Sequence, residues 1–61
     1  MKNKEITFAE ELKIIRQVKN LTQKEMAFKL DIPYRTYQNW EEGQRLPPDY
    51  TQAVVKILAS E

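Results

Sequence analysis

The chain has 61 residues, ten of them basic and nine acidic, with neither cysteine nor histidine. A chain this short holds one domain at most, with room for a core and one surface function. Without cysteine there is no disulfide framework and no thiolate zinc site. Without histidine the usual nucleophile–base pairs are missing too, so the composition argues against an enzyme and against a metal or other cofactor. No apolar run approaches the roughly 20 residues of a membrane span. The opening "MKNKEITF" lacks the apolar centre of a signal peptide, so a cytoplasmic protein is expected. A formal net charge of +1 is too small to announce a nucleic-acid partner in bulk, and the placement of the charges must decide.

Glycine and proline occur only at Pro33, Gly43, Pro47 and Pro48, which leaves long stretches free to be helical. Thr7 and Glu10 in "TFAE" form a capping-box pattern. Phe8, Leu12, Ile15, Val18 and Ile14 then fall to one side of a helix from about Phe8 to Lys19, with Asn20 suited to the left-handed residue that ends it. Thr22 and Glu25 in "TQKE" repeat the pattern and open a second helix, about 23–30, with Met26, Ala27 and Leu30 inward and Lys24, Lys29 and Phe28 outward. Pro33 disfavours the α region for the residue before it, which stops that helix near Asp31.

A third helix, about 34–42, starts beside Pro33 and stops at Gly43. Thr36, Tyr37 and Trp40 fall on one side, and two large rings at helical spacing belong to a core. Arg35, Gln38, Asn39 and Glu42 fall on the other. A merely solvated face more often carries Glu and Lys, whereas Arg, Gln and Asn can hydrogen-bond base edges bidentately. A fourth helix, about 49–59, follows Pro48. Its apolar residues Tyr50, Ala53, Val54, Ile57 and Leu58, with Val55 to one side, cover more of the circumference than a single core contact needs.

Two short helices joined by a tight turn, the second bearing outward amide and guanidinium groups, have a helix-turn-helix layout. The stretch "LKIIRQVKNLTQKEMAFKLDIPYRTYQNWEEGQRLPP", Leu12 to Pro47, resembles the lambda-repressor-like, Cro-type (XRE) helix-turn-helix family without any insertion. The resemblance implies an all-α, compact four-helix domain spanning residues 1–61, with a short fifth helix allowed, that binds double-stranded DNA as a small transcriptional repressor. It implies base reading from Tyr34, Arg35 and Asn39, with Gln38 between them. Gln23, with its neighbours Thr22 and Lys24 at the start of the second helix, and Arg45 in the loop after the third, would hold the DNA backbone. One departure is Asp31, where the family usually has glycine; another is Pro33, which replaces the usual Ser or Thr cap of the third helix.

Arg16 lies near the buried margin of the first helix, and the resemblance pairs it with Glu41, so an ion pair joining the first and third helices is expected. Relatives bind two-fold sites as dimers. The surplus apolar surface of the fourth helix is therefore expected to form a homodimer interface, with Val55 and Leu58 meeting their two-fold mates, either in free solution or only on DNA. A protein-interaction module of the same fold is the alternative, favoured by the near-neutral charge, Glu42 on the recognition side and the outward Phe28.

Overall fold

The computed structural model describes residues 6–61; residues 1–5, which begin the stretch read above against a signal peptide, lie outside the described residues. Four helices follow one another: α1 (Phe8–Val18), α2 (Gln23–Leu30), α3 (Tyr34–Glu42) and α4 (Asp49–Ser60). No strand and no fifth helix occur among the described residues. Both capping boxes are formed. Thr7 accepts from the Glu10 backbone N–H at 3.1 Å and Glu10 accepts from that of Thr7 at 3.2 Å; at α2 the corresponding Thr22–Glu25 distances are 3.1 and 2.8 Å.

The first three helices end in one way. Asn20, Asp31 and Gly43 are left-handed, at φ of 60°, 60° and 77°. In each case the next residue donates its N–H five residues back: Leu21 to Arg16, Ile32 to Ala27 and Gln44 to Asn39, at 3.1, 3.0 and 3.0 Å. This is the hydrogen bond of a Schellman stop, which needs a residue tolerant of positive φ. Asp31 meets that need in place of glycine. Pro33 precedes α3 with no side-chain cap bond.

The core comprises Phe8, Leu12, Met26, Ala27, Leu30, Tyr37, Trp40, Val55 and Ala59, with Ile15, Leu21 and Ile32 packed at its margin. Phe8 meets Trp40 edge to face, ring centroids 6.0 Å apart. Helices α1 and α2 each pack against both α3 and α4.

Two readings of the helical wheels are corrected. Ile14 and Val18 were placed on the inward side of α1, yet they are 47% and 80% exposed. The buried stripe is only Phe8, Leu12 and the half-buried Ile15, because positions spaced by four and seven span about 60° of the wheel, whereas Ile14 and Val18 lie beyond that arc. In α4, Val55 was expected at a dimer interface; it is buried in the domain's own core beside the fully buried Ala59. Val55 and Ala59 lie on the arc of α4 that packs against α1 and α2. Tyr50, Val54 and Ile57 are left on the exposed side, with Leu58 at its border with Val55.

Candidate nucleic-acid interface

The turn Asp31-Ile32-Pro33 joins the end of α2 to the start of α3, with Ile32 packed at the core margin. Tyr37 and Trp40 anchor the inner side of α3. On the outer side Tyr34, Arg35 and Glu42 are exposed, while Gln38 and Asn39 are half-buried. Thr22 and Lys24 are exposed at the start of α2, and Arg45 is exposed in the loop after α3. The Lys24 Nζ lies 5.5 Å from the centroid of the Tyr34 ring, a cation–π contact that bridges α2 and α3.

Beneath this surface Glu41 gathers donors from three helices. The Arg16 Nε donates to Glu41 Oε2 at 2.6 Å and Nη2 to Oε1 at 3.4 Å. The Tyr37 hydroxyl donates to Oε2 at 2.5 Å, and the Gln23 amide to Oε1 at 3.0 Å. Arg16 also donates from Nη1 to the Leu21 carbonyl at 2.9 Å, tying the α1–α2 connection to the same cluster. The Glu41 side chain is only 2% exposed and that of Arg16 17%. Such a carboxylate is tolerated only because it is paired and hydrogen-bonded.

Burial by itself pushes the Glu41 carboxyl up, and the hydrogen bonds from Arg16, Tyr37 and Gln23 together bring it below the ordinary carboxylate range. The bond to Glu41 raises Arg16 above its usual value. Burial, followed by the negative neighbour, drives the Tyr37 phenol well above its ordinary range, so it stays a donor. The cluster is therefore a fixed ion pair with neutral helpers.

Sequence reasoning paired Arg16 with Glu41 but missed the Tyr37 and Gln23 donors. The Tyr37–Glu41 spacing of four residues on one helix was a usable signal. Nothing local marked Gln23 as their partner: its amide, expected on DNA, is turned inward to Glu41, with its carbonyl oxygen left for other contacts. The Lys24–Tyr34 contact was likewise unforeseen.

No helix among the described residues is long and apolar enough to cross a membrane. Comparison with curated proteins and with solved structures found no match. The family model described as helix-turn-helix matches residues 12–59, most of the chain and all four helices except the first turn of α1 and the last residue of α4. With its four helices, its tight α2–α3 turn and this match, the chain belongs to the lambda-repressor-like (XRE) helix-turn-helix family of DNA-binding regulators.

Proposed function

We propose that this protein is a cytoplasmic, sequence-specific transcriptional repressor that inserts α3 into the major groove of duplex DNA. The observation that carries the reading is the two-sided character of α3: Tyr37, Trp40 and Glu41 are locked inward, and Arg35, with Gln38 and Asn39 beside it, faces outward from a rigid support. Such residues on a fixed helix suit direct readout, since Arg pairs bidentately with guanine and Asn or Gln with adenine. Thr22, Lys24 and Arg45 flank that face and suit the phosphates, which set register rather than sequence, and Gln23 can join them only through the second hydrogen of the amide that already donates to Glu41. The free N–H groups at the start of α2 add to them.

A homodimer accompanies this reading. Tyr50, Val54 and Ile57, with Leu58 at the edge beside Val55, recur at helical spacing on the exposed side of α4. An apolar stripe in water marks an interface. Two copies joined there would present two recognition helices to successive major grooves, about 34 Å apart.

Selection of bound duplexes from a random pool tests the proposal. It should return a two-half-site sequence whose affinity falls steeply with salt, because phosphate contacts release counterions. Phe28, 87% exposed on the outer side of α2, favours a second reading as a protein-interaction module. In that case no sequence would be enriched, and association with a protein partner would be insensitive to salt.

A further inference from the structure

The contact between Lys24 and Tyr34 has no part in the core. Tyr34 is 39% exposed at the first position of α3, and Lys24 is exposed one residue into α2. Its Nζ lies over the ring, 5.5 Å from the centroid, within the range in which an ammonium is held by the negative face of an aromatic ring. A ring face covered by an ammonium is not available for stacking on a base. A lysine side chain, in turn, has large rotamer freedom that a phosphate contact must quench, and a ring that already holds the head group removes part of that freedom beforehand.

Resting on the DNA-binding reading above, we propose that Tyr34 is a positioning residue and not a base reader: its ring holds the Lys24 ammonium at the junction of α2 and α3, where it meets a backbone phosphate of duplex DNA. Sequence discrimination by α3 then falls to Arg35, Gln38 and Asn39. Tyr34 contributes affinity without specificity, and it does so through Lys24.

The test uses the full chain, the duplex recovered from the random pool and a scrambled duplex, titrated over a salt series. Lys24→Gln should weaken both duplexes equally and reduce the slope of log affinity against log salt by about one contact. Tyr34→Leu should weaken both by the same factor, about two- to fivefold for a contact of this kind. Tyr34→Phe, which keeps the ring, should recover most of that loss, and Tyr34→Leu should cost nothing further in the Lys24→Gln background. In the unbound protein the Lys24 ε-methylene protons should show a ring-current shift that Tyr34→Leu abolishes and Tyr34→Phe retains. A loss confined to the selected duplex, a Tyr34→Phe variant as weak as Tyr34→Leu, or additive losses in the double variant would overturn the proposal while leaving DNA binding intact. Failure of the unsubstituted protein to bind any duplex in a salt-dependent way would overturn both.

Discussion

Arg16 and Glu41, 25 residues apart in the chain, meet with the guanidinium Nε 2.6 Å from a carboxylate oxygen. The pair joins α1 to α3, and through Gln23 and Tyr37 it fixes the start of α2 and the middle of α3 against the same carboxylate. The support beneath the recognition face is therefore electrostatic as well as apolar.

The costs of removing the two members should not add. Arg16→Ala leaves a nearly inaccessible carboxylate without its cation, at a cost of about 3 kcal/mol. The double variant Arg16→Met, Glu41→Leu should lose less than the sum of the two single changes, because no buried charge is stranded. Urea unfolding of the four proteins checks this, and strict additivity would contradict it.

The same cluster predicts acid sensitivity. Glu41 has a lowered pKa in the folded chain, so the unfolded chain takes up its proton first as pH falls. Its contribution is complete above the ordinary carboxylate pKa and is lost as pH drops through that value toward the folded one. Tyr37 has the opposite sign: its raised folded pKa means that its contribution is complete below the ordinary phenol pKa and is lost as pH rises beyond it. Glu41→Gln should be less stable at neutral pH but lose less on acidification. Tyr37→Phe should do the same on the alkaline side.

At the end of α2, Asp31 holds φ of 60° and places a negative charge at the negative end of the helix dipole. Glycine there removes both penalties, and the larger freedom of the unfolded chain offsets part of the gain. Asp31→Gly should stabilise the protein by about 1 kcal/mol, which in a domain of this size raises Tm by several degrees. Asp31→Asn, which keeps the left-handed tolerance and removes only the charge, should gain less. A thermal melt that fell for either variant would count against this account.

On DNA, Arg35→Ala should flatten preference at one base pair, a loss of roughly 1–3 kcal/mol of discrimination. Gln23→Ala should weaken every sequence alike and also lower stability, since its amide donates to Glu41. Equal losses of Arg35→Ala on selected and scrambled duplexes would rule out its base-reading role.

The two sides of α4 separate folding from assembly. Val55→Ala opens a cavity in the core and should cost about 2 kcal/mol in a chemical melt. Leu58→Glu, at the edge of the exposed side, should leave stability nearly unchanged and abolish the proposed dimer, as read by sedimentation on a two-half-site duplex. A dimer indifferent to Leu58→Glu would eliminate the α4 stripe as its interface.

What the sequence determined by itself is the part governed by short-range chemistry. Thr7 with Glu10 and Thr22 with Glu25 mark helix starts because a cap bonds three residues away. Asn20 and Gly43 mark stops because each bears positive φ, and Pro33 marks the stop near Asp31 because it bars the α region to the residue before it. Those rules, with the resemblance over Leu12 to Pro47, placed α2 and α3 on the residues observed and brought Arg35, Gln38 and Asn39 to one side of α3. Only the tertiary structure decided which arc of an apolar helix meets the core. On α4 both Val55 and Ile57 are apolar, each with an alanine one turn away, yet Val55 and Ala59 are buried while Ile57 and Ala53 are exposed. It also decided that Gln23 turns toward Glu41 and Lys24 toward Tyr34. Those contacts join residues on different helices, so they depend on how the helices dock, and docking is set by the packed volume of the whole core rather than by any spacing along the chain.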